Sequence, residues 1–213
     1  MNIEWLGHAS FLITSDTGIK IITDPYETGG GLSYGEIKES ADIVTVSHDH
    51  FDHNNVAAVP GNPQVVRGTA KVKGMEFKSI SAYHDEAQGG QRGKNTILCF
   101  GVDGVRVCHL GDLGHQFSEG QVAEVGSVDV LLIPVGGYYT IDARVATAVC
   151  NQLKPKVVIP MHYKTGKCDF PIAGVEQFLQ GKKEARRLDA SEVEFKSGEL
   201  PPATQIIVLK PAL

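Results

Sequence analysis

A nearly continuous apolar run, Ile43-Val44-Thr45-Val46, leads through Ser47 directly into His48-Asp49-His50-Phe51-Asp52-His53. No other stretch restricts the fold so strongly. A run of this kind suits a strand covered on both faces, so its carboxyl end must open onto a place where three imidazoles and two carboxylates are useful. On a helix, His48 and His50 would point about 200° apart, and neither could help the other hold an ion. In an extended segment they point the same way. Two borderline-soft nitrogens can then reach one cation, while Asp52 and His53, past a turn, face a second. A polar loop whose histidines merely hydrogen-bond is the bland alternative, and it accounts poorly for this density of donors.

Other apolar runs end in the same way. His84 follows Ile80-Ser81-Ala82-Tyr83, His162 follows Val157-Val158-Ile159-Pro160-Met161, and Asp112 comes shortly after Val105 to Cys108. Strand ends are where open sheets build sites. Further strands are expected at Ile3 to Leu6, Ser10 to Thr14, Ile19 to Thr23, Gln64 to Arg67, Met75 to Ala82, Thr96 to Val102, Val105 to Leu110, Val128 to Val135 and Ile206 to Leu209. Ser15-Asp16-Thr17-Gly18 and Asp103-Gly104 read as hairpin turns. Helices are expected at Ala143 to Leu153, capped by Asp142, and at Ile172 to Leu179, with Pro171 at its first position; Asn54 to Val59 suits a short helix ended by Pro60. Many strands with few, late helices indicate a layered α/β architecture with mixed sheets. At 213 residues the expectation is a single domain spanning 1–213.

The net charge of −5 offers no general attraction to phosphate backbones or anionic membranes, which disfavours a nucleic-acid binder. Lys182, Lys183, Arg186 and Arg187, beside Glu184, read as one solvated helix face. No basic leader opens the chain and no apolar run approaches the roughly 18 residues of a membrane span, so a cytoplasmic protein is expected. Cys99, Cys108, Cys150 and Cys168 lack CxxC spacing. Reduced, buried thiols are expected, with Cys168, in a polar stretch, the accessible exception.

Taken together, His-x-His-x-Asp-His, a later His84, Asp112 in Gly-Asp, and His162 in Pro-Met-His-Tyr resemble the pattern of the metallo-β-lactamase superfamily across nearly the whole chain. Trp5-Leu6-Gly7-His8-Ala9, Asp24-Pro25, His84-Asp85 with Arg92-Gly93-Lys94-Asn95-Thr96, His109-Leu110-Gly111-Asp112-Leu113-Gly114-His115 and Pro134-Val135-Gly136-Gly137 are similar to its ascorbate-6-phosphate lactonase-like branch, related to N-acylphosphatidylethanolamine phospholipase D. The resemblance implies a four-layer αββα sandwich with two mixed β-sheets and a metal cleft at one edge. It also implies a first metal on His48, His50 and His84, a second on Asp52, His53 and His162, and Asp112 between them. Two ions roughly 3.5 to 4 Å apart could share a hydroxide that attacks an ester, lactone, amide or phosphodiester. Zinc suits this donor set best, with manganese or iron also compatible.

Within that frame Asp52 has a second task, orienting the nucleophile or accepting its proton. Asp24 would hold a ligand histidine from behind, or simply turn the chain before Pro25. His109 is a ligand or, one strand period from Gly111, a core residue. His8, Arg92, Asn95 and His115 are candidates for contact with a small substrate, and Arg92 would suit a phosphate or carboxylate on it. Specificity should reside in loops at Glu27 to Ser40, Asp85 to Lys94 and Gly136 to Ile141, with Tyr138, Tyr139 and Thr140 near the mouth. The rival readings are a non-catalytic metal-binding protein and a di-iron redox relative; the latter would replace a histidine of the motif and carry a flavodoxin domain. Nothing in the sequence specifies an oligomeric state.

Overall fold

The computed structural model describes residues 1–183 and 185–213. Two mixed sheets stack on one another. The first contains β1 (Asn2–Gly7), β2 (Ser10–Thr14), β3 (Lys20–Thr23), β4 (Ile43–Thr45) and β5 (Gln64–Val66), in that spatial order, with β13 (Glu192–Glu194) beyond β1. The second runs from β6 (Ala70–Val72) through β7 (Met75–Tyr83), β8 (Lys94–Val102), β9 (Val105–His109), β10 (Val130–Pro134), β11 (Val157–Met161) and β14 (Gln205–Val208) to β12 (Ala185–Arg187). β6 to β9 are antiparallel and β9 to β12 parallel.

Side-chain alternation explains why the first sheet's strands lack an amphipathic pattern. Ile3, Trp5, Phe11, Ile13, Ile21 and Ile43 point into the core shared with the second sheet. Their neighbours Leu6, Leu12, Ile22 and Val44 point the other way, into a cluster closed by Tyr26, Leu32, Tyr34 and Ile37. Both faces are therefore dry, and the outer layer here is the 25–41 loop with a 3₁₀ turn at Val56–Ala58. Over the second sheet lie α1 (Glu119–Val125), α2 (Ala143–Leu153) and α3 (Val175–Leu179).

The expected α2 begins where Asp142 accepts a hydrogen bond from Val145 N, and it ends at Lys154, left-handed at φ 48°, before Pro155. α1 was not expected; it is one short helix stabilised by a Ser118/Gln121 capping box, too brief for a periodic apolar pattern. α3 starts later than expected, at Val175 rather than after Pro171. Residues before it are drawn into extended pairing, with Lys164 bridged to Gly174 and Ala173 N donating to Gly136 O. The basic cluster is no helix face: Ala185–Arg187 is an edge strand parallel to β14, with Glu184 outside the described residues. Cys168, expected to be accessible, is fully buried against the outer cluster. Among the described residues no helix is long and apolar enough to cross a membrane.

Candidate metal centre

The carboxyl ends of β3 and β4 from one sheet and β7, β9 and β11 from the other converge at one edge of the sandwich. Two backbone bonds tie the sheets there, Thr96 N to Ser47 O and His162 N to His8 O. Asp24, directly after β3, is fully buried and acts as the anchor. Its Oδ1 accepts from Ser47 N at 2.8 Å, and its Oδ2 accepts from Ser47 Oγ at 2.5 Å and His53 Nδ1 at 2.9 Å.

This anchoring decides tautomers. An ionised carboxylate only accepts, so in the neutral His53 ring it is Nδ1 that carries the proton and Nε2 that offers a lone pair. The Ser47 hydroxyl spends its hydrogen on Asp24, so it accepts from His48 Nδ1 at 2.9 Å, and His48 Nε2 is likewise freed. Such buttressing of imidazoles from behind is typical of metal ligands. The neighbourhood keeps Asp24 ionised: burial works against it, but the imidazoles of His109 and His53 lower its pKa.

The Nε2 atoms of four histidines converge on Asp112. Its Oδ2 lies 3.2 Å from His53 Nε2, 3.1 Å from His84 Nε2, 3.3 Å from His162 Nε2 and 3.9 Å from His48 Nε2. His48 Nε2 is 3.1 Å from His50 Nδ1. Asp112 Oδ1 and His53 Nε2 are buried with no hydrogen-bond partner among the described residues. Ligands on a tetrahedral ion with bonds of 2.0–2.1 Å sit about 3.3 Å apart, so these separations suit donors sharing cations. Potential ligand atoms group as His48, His50 and His84 on one side and as Asp52, His53 and His162, joined by His8, on the other. Asp24, His48 and His53 form a third grouping, behind the first two.

The charges are strongly coupled. Burial opposes ionisation of Asp112, yet the His162 and His53 imidazoles hold its carboxyl well below the ordinary range. Burial likewise opposes a charge on His53, but the Asp112 and Asp52 carboxylates raise it well above an ordinary histidine. His48 is pushed down to about 3 by burial and then by His53. The pocket thus demands positive charge among its carboxylates.

The sequence candidates separate into two groups. Only Arg92 among the four proposed substrate contacts lines the open cleft, a space of about 410 Å³ bounded also by Gly30, His50, Phe51, Asp52, His84, Asp112, Tyr139, His162 and Phe170. Its guanidinium lies 5.6 Å from the Tyr139 ring centre and makes no ion pair or hydrogen bond among the described residues. His8 is buried, with Nε2 3.1 Å from Asp52 Oδ2 and its ring 4.1 Å from that of His162. Asn95 is consumed internally, donating to Leu110 O and accepting from Asp112 N. His115 accepts from Tyr83 N and donates to Gln116 O, outside the cleft lining. His109 donates from Nε2 to Ala9 O and accepts from Gly111 N, as a core residue does.

Some contributors escaped the sequence reading. Ser47 relays Asp24 to His48, and Phe51 is 47% exposed on the cleft wall. Asp49, close by in the same loop, accepts from Arg67 and Asn54 and pins the loop. The three expected specificity loops do reach the cleft, through Gly30, Arg92 and Tyr139. Tyr138 points largely to solvent instead, at 65% exposure.

Comparison with known proteins agrees with this geometry. A family model described as the beta-lactamase superfamily domain matches residues 2–162. A UPF0173 metal-dependent hydrolase of Archaeoglobus fulgidus is 32% identical, over 93% of this chain and 97% of the relative. The crystal structure of a protein assigned as a Zn-dependent hydrolase of the metallo-β-lactamase superfamily, from Thermotoga maritima, superposes with a TM-score of 0.81 at 37% identity, covering 98% of this chain and 97% of that one. Igni18, a metallo hydrolase of Ignicoccus hospitalis, gives 0.69 at 25% identity, over 92% and 99% of the two chains. With a matched domain, full-length relatives and the same two-sheet architecture, the chain belongs to the metallo-β-lactamase superfamily.

Proposed function

We propose that the protein is a metal-dependent hydrolase with two metal positions, acting on an ester, lactone, amide or phosphodiester of a small substrate. The observation that carries this reading is the gathering of three imidazole Nε2 atoms within 3.1–3.3 Å of one buried carboxylate oxygen, beside an open cleft. His48, His50 and His84 would hold one ion, Asp52, His53 and His162 the other, with Asp112 shared. Zinc fits the histidine-rich set best, and manganese or iron would tolerate its carboxylates. When bound, the ions supply Lewis acidity, polarising the oxygen of the scissile bond and acidifying water near neutral pH.

The chain's own groups do the rest. Asp52 Oδ2 is held by His8, while Oδ1 has no hydrogen bond among the described residues and is the atom that accepts a proton from the attacking water. His8 therefore acts on Asp52 rather than on substrate. Asn95 fixes the backbone of Asp112, which keeps the shared carboxylate from turning. Arg92, half-buried and unpaired among the described residues, suits a phosphate or carboxylate on the substrate, as its planar fork matches such anions. Phe51, Phe170 and Tyr139 present an apolar wall for the remainder.

Elemental analysis of protein purified without added metal, with a panel of lactones, phosphodiesters and acyl amides, tests the reading. Two ions per chain and turnover of one class, both lost in Asp112→Asn, are expected. Two ions with no hydrolysis of any class would favour a metal-binding role instead.

A further inference from the structure

None of the four cysteines takes part in the proposed chemistry, yet two of them face each other. Cys99 on β8 and Cys108 on β9 are direct partners in the antiparallel register, and their sulfurs lie 2.9 Å apart. The turn explains this. Asp103 (φ 51°) and Gly104 (φ 76°) are both left-handed, which makes a two-residue type I′ hairpin closed by Val102 and Val105 as a hydrogen-bonded pair. Counting outward, Gly101 and Arg106 are a non-bonded pair, Phe100 and Val107 a bonded one, and Cys99 and Cys108 non-bonded again. Non-bonded pairs bring Cα atoms to about 4.5 Å with side chains closest, inside the span of a disulfide.

We propose that Cys99 and Cys108 are a modification site, forming a reversible cross-strand disulfide by exchange with a low-molecular-weight disulfide. The two thiols differ in a way that orders the steps. Cys99 retains 7% of its surface and Cys108 none. Its hydrogen bond with Cys108 and, against burial, the nearby Arg106 and Lys78 cations lower the Cys99 thiol, whereas burial raises Cys108 well above an ordinary thiol. Cys99 thiolate attacks one sulfur of the small disulfide, breaks its S–S bond and releases one thiolate. Cys108 then gives up its proton, attacks the Cys99 sulfur and expels the second thiolate. Two protein thiols are oxidised and one small disulfide is reduced to two thiols. The link joins the two strands four residues from Asn95 and four from Asp112, so it braces the hairpin that carries this pair. It is independent of the hydrolase reading.

The full chain is incubated across a series of glutathione to glutathione-disulfide ratios, acid-quenched, alkylated after denaturation and mapped by mass spectrometry. Expected is a species two hydrogens lighter, with a Cys99–Cys108 linked peptide, alkylation confined to Cys150 and Cys168, and full reversal by dithiothreitol. Cys108→Ser should stop at a glutathione adduct on Cys99. Alkylation of Cys99 and Cys108 at the most oxidising ratio, a persistent Cys99 adduct in the unaltered protein, or links through Cys150 or Cys168 would overturn the proposal. The unaltered chain decides the matter even if the variant does not fold.

Discussion

Asp24 touches no part of the cleft, and it nevertheless sets which nitrogen of His48 and His53 is free. In Asp24→Asn the amide nitrogen faces a donor already in place whichever way it turns, Ser47 N at the Oδ1 position or Ser47 Oγ and His53 Nδ1 at the Oδ2 position, and the charge that buttresses the imidazoles is lost. We expect metal affinity to fall about 10- to 100-fold with the fold retained, as competition with a chromophoric chelator would measure. Unchanged affinity would remove Asp24 from the centre. Asp52 makes the opposite prediction. Asp52→Asn should lower kcat by about 10²- to 10⁴-fold while most bound metal stays, because the amide can still ligate through oxygen but cannot take a proton. A parallel loss of metal and rate would mean that Asp52 is a ligand and nothing more. His8→Ala, by releasing Asp52 Oδ2, should give a milder loss in the same direction, read as kcat with near-constant KM.

At the scale of elements, the loops around Asp112 leave no room for side chains. A Cβ on Gly114 would lie 2.2 Å from Asp85 N and 2.3 Å from the carbonyl carbon of His84, both backbone atoms that cannot step aside. Gly114→Ala should cost about 1–3 kcal/mol, seen as a lower urea midpoint, whereas Gly166→Ala, where none of the described residues comes within 4 Å, should be near neutral. The loop following β7 has its own staple. Asp85 accepts from the backbone of Ala87 and Gly89 through Oδ1 and of Gln91 and Arg92 through Oδ2. Burial opposes the charge, but these four N–H groups lower the carboxyl to about 2 from its ordinary 3.8. Because the folded value is depressed, the stabilisation is complete above pH 3.8 and is lost as pH falls toward 2. The stability difference between the unaltered chain and Asp85→Asn should therefore hold above pH 3.8 and shrink as pH falls from there toward about 2, and a constant difference across that window would argue against the carboxylate's role. The same variant should loosen Arg92 and raise KM for an anionic substrate.

For the molecule as a whole, the centre joins two sheets, so metal binding should report on global stability. A ligand that binds only the folded state contributes about 2.7 kcal/mol at a hundredfold excess over its Kd, or about 5–10 °C of thermal midpoint for a domain of this size. Chelator-treated protein should gain such a shift on adding zinc, and Asp112→Asn should not. Much of this layout is legible along the chain. The hairpin at Asp103-Gly104, the capped helix after Asp142 and the strand ends carrying His48, His84, Asp112 and His162 follow from local alternation, turn chemistry and apolar runs. Even the thiol pair had a signal, since Cys99 and Cys108 are equidistant from their turn. Short or edge elements such as α1 and β12 did not, because too few residues carry a period and long-range pairing decides them. By itself the sequence determined which side chains are delivered to the site, since each stands at the end of an element with a strong local pattern. Only the tertiary structure decided what each one faces: His8 meets Asp52 across 44 residues and Asn95 meets Asp112 across 17, while Arg92 is left open to the cleft. Hydrogen-bond partners so distant are set by how two sheets pack, and no local pattern encodes them.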